Sequence, residues 1–282
     1  MSCCSQDIGT ETGGGESCAA GAKTFTITKI NGSETMPADD MVAVEQPLTV
    51  YLNGREFMTI VHSPGQEREL IVGLLASEGI IRGLPDVRGI SIDSSQGTAF
   101  VETSPDVSPG EANFMKRYFS SCCGRSRASF YFVNDARTAG VRTSFGDLRV
   151  SSGDVSRYME MLDAESVLFR RTGGVHGGAL TSDGRLGSIA FDIGRHNVLD
   201  KLYGSALSNG GDLSRQIIVF SGRIASEIVI KTGKMGCPII AGAGAPTNLA
   251  IELARKLGVT VIGFVRRNRM NVYSYPERIA SG

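Results

Sequence analysis

The chain has 282 residues, of which 41% are hydrophobic and 21% charged, with 36 glycines and no tryptophan. Its 29 basic and 29 acidic side chains balance to a formal net charge of zero, which argues against attraction of the whole protein to nucleic acid or to an anionic membrane. No apolar run reaches the roughly 18 residues that a membrane span needs. The six cysteines form no Cys-x-x-Cys pair and no secreted disulfide pattern, so we expect a reduced, cytoplasmic setting.

Residues 1–22 are expected to form a disordered tail, because they contain too few apolar groups to offset the entropy lost on ordering. They also lack the apolar core of a signal peptide. Residues 23–110 are predicted to form a smaller, β-rich N-terminal subdomain with one helix. Its predicted elements are a strand at 25–28, a hairpin over 48–61 closed by Asn53-Gly54, a helix over 67–78 and a second hairpin over 89–101. Asn-Gly is favoured in a two-residue hairpin turn because both positions need positive φ.

Residues 111–282 are predicted to form an α/β domain with a mostly parallel sheet. Strands and helices alternate in this part of the chain, as they do in sheets whose parallel strands are connected by crossover helices. The predicted strands are 128–133, 186–191, 216–220, 237–241 and 260–264, and the predicted helices are 151–162, one that begins over 197–203, 224–232 and one capped by Thr247 that ends at Leu257. In such sheets, ligands bind beyond the carboxyl ends of the strands.

Polar and glycine-rich segments follow four of these strands, and we interpret them as candidate parts of a phosphate site. The segments are 192–197, 221–223, 242–247 and 266–269. Each offers backbone N–H groups at a helix start, guanidinium groups, or both. The alternative for Arg266, Arg267 and Arg269 is a solvated basic face.

Two of the three histidines, His176 and His196, lie in glycine-flanked segments that are predicted to be turns, which makes them further site candidates. Asp192 is a candidate to orient Arg195 or His196. No zinc site is predicted, because zinc deaminases need His-x-Glu and Pro-Cys-x-x-Cys, whereas His176 here is followed by two glycines. The dinucleotide-binding fingerprint of three spaced glycines is also missing from 242–247.

Cys122 and Cys123 are the candidate nucleophiles. They lie in a turn of small, flexible residues, and cations near a thiol favour the thiolate, which is its nucleophilic form. Their basic neighbours are Lys116, Arg117, Arg125 and Arg127. The alternative is a tight turn with buried, unreactive thiols. Cys237 lies in an apolar strand and is interpreted as a core residue.

Several segments together resemble the FdhD family of sulfur carriers, which are needed to make active formate dehydrogenase. They are 70–81, 172–176, 192–201, 221–223, 245–247 and 263–266. The run Asp-Ile-Gly-Arg-His-Asn at 192–197 is highly specific. The resemblance implies a three-layer fold like that of cytidine deaminase, without its zinc, and a homodimer.

The resemblance also implies a function, that of a sulfurtransferase. Such proteins take sulfur from a cysteine desulfurase as a cysteine persulfide and pass it to the molybdenum bis(molybdopterin guanine dinucleotide) cofactor, before that cofactor enters the catalytic subunit of formate dehydrogenase. The cofactor is a bound client, and no tightly bound metal of the protein's own is expected. The segment implied to hold the guanine dinucleotide contains Phe264, Val265, Arg266, Arg267, Asn268 and Arg269. The other predicted cofactor-binding residues are His176, Arg195, His196, Ser221, Arg223 and Thr247.

The thiol turn departs from the family pattern. Many members carry Cys-Gly-x-Cys-Gly, whereas this chain has Cys122-Cys123-Gly124-Arg125, so the second thiol is missing or has moved to Cys123. A persulfide needs only one thiolate, and we predict that Cys122 or Cys123 carries the sulfur. The alternatives are a non-catalytic chaperone that holds the molybdenum cofactor and docks on formate dehydrogenase, and a relic of a nucleotide deaminase.

Overall fold

The computed structural model describes residues 21–105, 148–182, 184–267 and 269–280. Several predicted features lie outside these residues: the tail to residue 20, the turn with Cys122 and Cys123, the predicted strand 128–133, and Asn268. The described part of the chain combines helices with several β-sheets, in agreement with the predicted α/β class.

The N-terminal part contains an isolated hairpin, a four-stranded sheet and one helix. Its elements are β1 (Ala22–Asn31), β2 (Glu34–Ala43), β3 (Gln46–Leu52), β4 (Arg55–His62), α1 (Glu67–Ser77), β5 (Val87–Asp93) and β6 (Thr98–Thr103). The strand order is β4-β3-β6-β5, and β1 pairs only with β2 among the described strands. The predicted hairpin turn is confirmed, because Asn53 and Gly54 both have positive φ, 50° and 77°. β1 begins at Ala22, inside the segment predicted to be a disordered tail.

The C-terminal part forms a six-stranded sheet with helices on both faces. Its elements are β7 (Val150–Ser151), α2 (Ser152–Glu165), α3 (Val167–Thr172), β8 (His176–Ser182), β9 (Arg185–Asp192), α4 (Arg195–Asn209), β10 (Ile217–Phe220), α5 (Ser226–Met235), β11 (Ile239–Gly242), α6 (Asn248–Leu257), β12 (Thr260–Arg266), β13 (Arg269–Val272) and β14 (Ile279–Ala280). The helices α4, α5 and α6 pack on one face of the sheet and α2 packs on the other, giving three layers. The likeness to cytidine deaminase and the domain division at residue 110 stay predictions.

The large sheet is mixed, so the prediction of a mostly parallel sheet is wrong. Its order is β13-β12-β11-β10-β8-β9, and only β10, β11 and β12 run parallel to one another. The pairings of β8 with β9, β8 with β10 and β12 with β13 are antiparallel. The reason is loop length, because the connections within β8–β9 and β12–β13 are too short for the crossover that parallel pairing needs.

The strand β8 was not expected, because its first three residues are His176, Gly177 and Gly178. Neither glycine has room for a side chain. A Cβ at Gly177 would lie 2.7 Å from Cε1 of Phe191, and a Cβ at Gly178 would lie 2.7 Å from Cγ1 of Val198. The glycines therefore allow close packing of the strand against its neighbours, and the prediction of a turn at His176 is wrong.

The two parts of the chain meet where α1 packs on α4. Residues 70–77 of α1 are all buried, because one side of the helix faces the four-stranded sheet and the other faces α4. The approach is closest at two glycines. A Cβ at Gly73 would lie 1.8 Å from the carbonyl oxygen of Asp200, and a Cβ at Gly204 would lie 1.9 Å from that of Glu69. No helix in the described ranges is long and apolar enough to cross a membrane.

We expect Gly204→Ala to lower the free energy of unfolding by about 1–3 kcal/mol or more, because the new methyl group meets backbone atoms that cannot rotate away. The matched control is Gly153→Ala in α2, where the nearest atom to a new Cβ is the Ser151 hydroxyl oxygen at 3.7 Å. Urea unfolding followed by circular dichroism measures both variants. Equal midpoints for the two variants would contradict close packing at the α1–α4 contact.

Candidate functional site

The carboxyl ends of the three parallel strands meet at one edge of the large sheet. Ser221 follows β10, Ala243 follows β11, and Arg266 is the last residue of β12. His176 lies at the same edge, because it begins β8, which runs antiparallel to β10 with Gly178 opposite Phe220. The edge therefore collects residues that are up to 90 positions apart in the sequence.

A cleft of about 580 Å³ opens at this edge. One wall is formed by the strand ends and the other by α2 and α3. The lining residues are Ser156, Met159, Glu160, Leu162, Asp163, Ser166, Phe169, Val175, His176, Gly177, Ser221, Ala243, Val265, Arg266 and Arg267. This volume lies in the range of small-molecule sites, about 300–1,000 Å³.

Five of the predicted site residues line the cleft: His176, Ser221, Val265, Arg266 and Arg267. Six others do not belong to its lining, namely Phe264, Arg195, His196, Arg223, Thr247 and Arg269. Asn268 lies outside the described residues. Thr247 has a structural contact, since its hydroxyl oxygen accepts a hydrogen bond from the N–H of Ala250 at 3.4 Å and so caps α6.

The loops after β10 and β11 are held together by backbone contacts. The N–H of Ile224 donates to the carbonyl oxygen of Ala245 at 3.1 Å, and the N–H of Thr247 donates back to that of Ile224 at 3.1 Å. Gly244 allows this approach, because a Cβ there would lie 2.8 Å from the carbonyl oxygen of Gly222. These contacts hold in place the two loops that supply Ser221 and Ala243 to the cleft lining.

The end of β12 has an irregular backbone that displays its arginines. Phe264 and Arg267 have positive φ, 54° and 24°, and the pairing with β13 shifts register between Gly263 and Arg266. Nη1 of Arg266 donates to the carbonyl oxygens of Ala243 at 2.9 Å and Val265 at 2.8 Å. Both Arg266 and Arg267 are exposed, so their remaining N–H groups can bind an anion such as a phosphate.

His176 belongs to a cluster with Arg195 and His196. Burial lowers the pKa of His176 below its usual 6.5, and the positive charge of Arg195 lowers that pKa further. At neutral pH the ring is therefore uncharged and can both donate and accept a hydrogen bond. Ser221 is fixed beside it, since the N–H of Gly177 donates to the Ser221 hydroxyl oxygen at 2.9 Å.

His196 contacts a carboxylate on the neighbouring helix. Its Nε2 lies 2.7 Å from Oε2 of Glu227, a contact that is an ion pair when the imidazole is protonated. His196 is the main cause that holds the pKa of Glu227 below its usual value. Nε of Arg195 is buried and has no hydrogen-bond partner among the described residues. Arg195 and His196 therefore lie in the first turn of α4, close enough to His176 to affect its pKa, but they do not line the cleft.

A buried ion pair lies beneath this turn. Nζ of Lys201 is 2.8 Å from Oδ2 of Asp192, and both side chains are almost fully buried, at 1% and 0% exposure. Asp192 also accepts hydrogen bonds from the N–H groups of Gly194 and Ser63 and from the side chain of Asn197. The interpretation that Asp192 orients Arg195 or His196 is therefore wrong. The hydrogen-bond partners of its carboxylate are Ser63, Gly194 and Asn197 instead.

The sequence interpretation missed two parts of this arrangement. No role is assigned to Ser63 from the sequence, yet its carbonyl oxygen accepts a hydrogen bond from Nζ of Lys201 at 3.1 Å and its hydroxyl oxygen accepts one from the N–H of Ile193 at 3.1 Å. The wall formed by α2 and α3 was also missed, because an amphipathic helix does not reveal what covers its polar face. A buried lysine inside a specific motif was the available signal for the first of these.

The candidate nucleophiles Cys122 and Cys123 lie outside the described residues. Cys237 does not take their place, because it is fully buried and burial raises its pKa to about 12. The interpretation of Cys237 as a core residue is confirmed. Within the described ranges, no group of three or more His, Cys, Asp or Glu side chains is arranged to hold a metal ion.

A model of the FdhD/NarQ family matches residues 43–280. The chain belongs to the FdhD/NarQ family. Relatives named sulfur carrier protein FdhD include one from Geobacillus kaustophilus, 43% identical over 93% of this chain and 98% of its own. Another from Listeria monocytogenes is 46% identical over 90% of this chain and 97% of its own.

A solved structure supports the same family fold. It is the crystal structure of a protein from Desulfotalea psychrophila that is provisionally assigned as a formate dehydrogenase accessory protein. The two chains are 26% identical, with a TM-score of 0.75, and the match covers 92% of this chain and 99% of that one. The fold of this FdhD/NarQ family member is therefore the fold of a solved relative.

We expect Lys201→Met to lower the free energy of unfolding by about 3–5 kcal/mol, because it leaves the Asp192 carboxylate buried without its counter-ion. The control is Arg157→Met, which removes an exposed ion pair with Asp154 and should change stability little. Urea unfolding measures both. The double variant with Asp192→Asn should lose less stability than the sum of its two single changes, and strict additivity would contradict the pairing.

Proposed function

We propose that this protein is a sulfur carrier that serves a molybdenum-containing formate dehydrogenase. The proposal is supported by its family, by relatives named sulfur carrier protein FdhD, and by the fold it shares with a provisionally assigned formate dehydrogenase accessory protein. The single observation that carries it within the structure is the cleft, which brings His176, Ser221 and the arginines of β12 together.

The proposed client of the cleft is the molybdenum bis(molybdopterin guanine dinucleotide) cofactor. Arg266 and Arg267 suit the phosphates, because guanidinium groups bind phosphate through charge-assisted, often bidentate hydrogen bonds. Met159, Phe169 and Val265 offer apolar surface to a planar ring. A volume of about 580 Å³ suits a nucleotide-sized part of this client, so the remainder of the cofactor extends beyond the cleft.

The proposed sulfur step begins at the thiol turn. The thiolate of Cys122 or Cys123 attacks the outer sulfur of a persulfide on a cysteine desulfurase, and the S–S bond of the donor breaks. The donor leaves as a thiolate, and the carrier now holds the persulfide. To deliver that sulfur to the client as sulfide, the S–S bond of the carrier persulfide breaks. This step takes up two electrons, which the client supplies, and it regenerates the carrier thiolate.

The remaining proposals concern partners and setting. We propose that the protein works in the cytoplasm, with a cysteine desulfurase as donor and the catalytic subunit of formate dehydrogenase as the final recipient. A homodimer is part of the same proposal. A non-catalytic chaperone remains the second candidate, because the second cysteine of the usual spaced pair is replaced by Arg125.

We expect incubation with a cysteine desulfurase and cysteine to add one sulfur atom to the intact protein, as measured by mass spectrometry. Cys122→Ala combined with Cys123→Ala should abolish this gain, whereas Cys237→Ala should not, because that thiol is buried. Equal sulfur uptake by the double variant would contradict the assignment of the thiols. Full rescue of formate dehydrogenase activity by the double variant would favour the chaperone.

We expect Arg267→Ala to weaken binding of guanosine diphosphate by about 10- to 100-fold, because one charge-assisted contact contributes about 1.5–3 kcal/mol. Arg269→Ala is the matched control, since Arg269 lies on the same hairpin but does not line the cleft. Calorimetric titration with guanosine diphosphate measures both. Equal losses from the two variants would place the phosphates outside the cleft.

A further inference from the structure

The cleft has a basic side and an acidic side. Arg266 and Arg267 form the basic side at the end of β12, and Glu160 and Asp163 form the acidic side on α2. Neither carboxylate makes an ion pair of 4 Å or less with a residue in the described ranges, and the guanidinium of Arg170 contacts the backbone carbonyl oxygen of Asp163 instead. The cleft therefore offers hydrogen-bond acceptors on α2 as well as donors on β12.

The two carboxylates belong to one stripe of α2. The residues of this helix that line the cleft are Ser156, Met159, Glu160 and Asp163. Side chains three and four positions apart lie on the same face of a helix, so the spacing places all four side by side. Ser166, at the end of the helix, continues the stripe and also lines the cleft. The helix therefore presents both carboxylates to the same ligand space, with the apolar side chain of Met159 beside them.

Asp163 is the carboxylate at the β8 end of the cleft. Ser166 packs against the start of β8, because a Cβ at Gly177 would lie 3.5 Å from Oγ of Ser166. Asp163 is about one helical turn from Ser166, whereas Glu160 is about two turns away. In the sheet, β10 and β11 lie between β8 and β12, so the two ends of the cleft are three strand spacings apart, or roughly 14 Å. This separation suits an extended ligand with a ring at one end and a diphosphate at the other.

A carboxylate in this position selects a ring by its hydrogen-bond donors. The two oxygens of an ionised carboxylate only accept hydrogen bonds, so they bind a pair of parallel donors. Guanine offers such a pair on one edge, namely its N1–H and its 2-amino group. Adenine has an acceptor at N1, and xanthine has a carbonyl oxygen in place of the 2-amino group. A site built to pair with a donor rejects an analogue that lacks it, because a polar group is then left unpaired.

We propose that Asp163 is a specificity-determining residue of the cleft, whose carboxylate accepts hydrogen bonds from a ring N–H and the adjacent 2-amino group of the client. The ring then lies toward β8, and the phosphates lie toward Arg266 and Arg267 on β12. The assignment of Asp163 rests on the proposed function, because it takes the guanine dinucleotide client as the occupant of the cleft. It goes further by placing recognition of the ring on α2, outside the segment 264–269.

The pterin of the proposed client carries the same two donors as guanine. Both rings contain a 2-amino-4-oxopyrimidine, in which the ring N–H and the amino group point in the same direction. Asp163 therefore suits either ring, and two probes separate them. Guanosine diphosphate joins guanine to a diphosphate, and 6-hydroxymethylpterin diphosphate joins a pterin to one. The ring of the tighter ligand is the one that occupies the cleft, and Asp163→Asn should weaken binding of that ligand by about tenfold or more.

Calorimetric titration of the full chain with guanosine diphosphate and xanthosine diphosphate tests the proposal. The wild type should bind guanosine diphosphate more tightly by about tenfold or more. Asp163→Asn should reverse this preference, because the asparagine oxygen still accepts from the ring N–H while its amide now donates to the 2-carbonyl oxygen of xanthine. Arg267→Ala should weaken both ligands equally and leave their ratio unchanged, because the two ligands carry the same phosphates.

Glu165→Gln is the matched control, because Glu165 is an exposed carboxylate on α2 that does not line the cleft. It should leave the ratio of the two dissociation constants at the wild-type value. This ratio does not change when part of the sample is unfolded, so it tolerates a destabilised variant.

The possible failures of the proposal can be told apart. An unchanged ratio in Asp163→Asn, with guanosine diphosphate still bound and still weakened by Arg267→Ala, would overturn the role of Asp163 and leave the proposed function standing. A reversed preference in Glu160→Gln instead of Asp163→Asn would overturn that role as well. Failure of the wild type to bind any of the three diphosphates would overturn both the role of Asp163 and the proposed use of the cleft.

Discussion

The buried ion pair between Lys201 and Asp192 joins the three pieces of chain on which the site depends. Asp192 ends β9, Lys201 lies in the second turn of α4, and Ser63, which contacts both, follows β4 of the N-terminal sheet. A buried charge without its counter-ion is strongly destabilising, so separating these three pieces of chain would raise the free energy of the folded protein. The ion pair therefore fixes the start of α4, where Arg195 and His196 lie, relative to the edge of the sheet.

The edge itself is rigid for a different reason, which is close backbone packing. A Cβ at Gly244 would lie 2.8 Å from the carbonyl oxygen of Gly222, and a Cβ at Gly263 would lie 2.9 Å from Cδ of Pro246, so the loops that follow β10 and β11 pack directly on each other and on β12. A rigid backbone lets the exposed arginines of β12 approach an anion without much loss of entropy. The polar edge of the sheet thus presents the ligand-binding groups, and the buried ion pair holds α4 in place beside it.

Local features of the fold could be predicted from the sequence, and long-range ones could not. The Asn53-Gly54 turn, the cap at Thr247 and the helix that begins at Glu67 depend on neighbouring residues, and each is confirmed. The antiparallel strand β8 was missed because its glycines serve contacts with Phe191 and Val198 that are distant in sequence. The site shows the same division. The strand-end residues could be recognised because polar and glycine-rich segments follow the apolar strands. The wall formed by α2 and α3 could not, because it depends on how the helix layer packs on the sheet.

The depth of Cys237 has a practical consequence for work on the other five cysteines. A fully buried thiol with a pKa of about 12 is almost entirely protonated in neutral buffer, and a thiol reagent cannot reach it without opening the core. Alkylation of the native protein therefore reports on the other five cysteines alone. Modification of Cys237 in the same sample then indicates that some of the protein has unfolded.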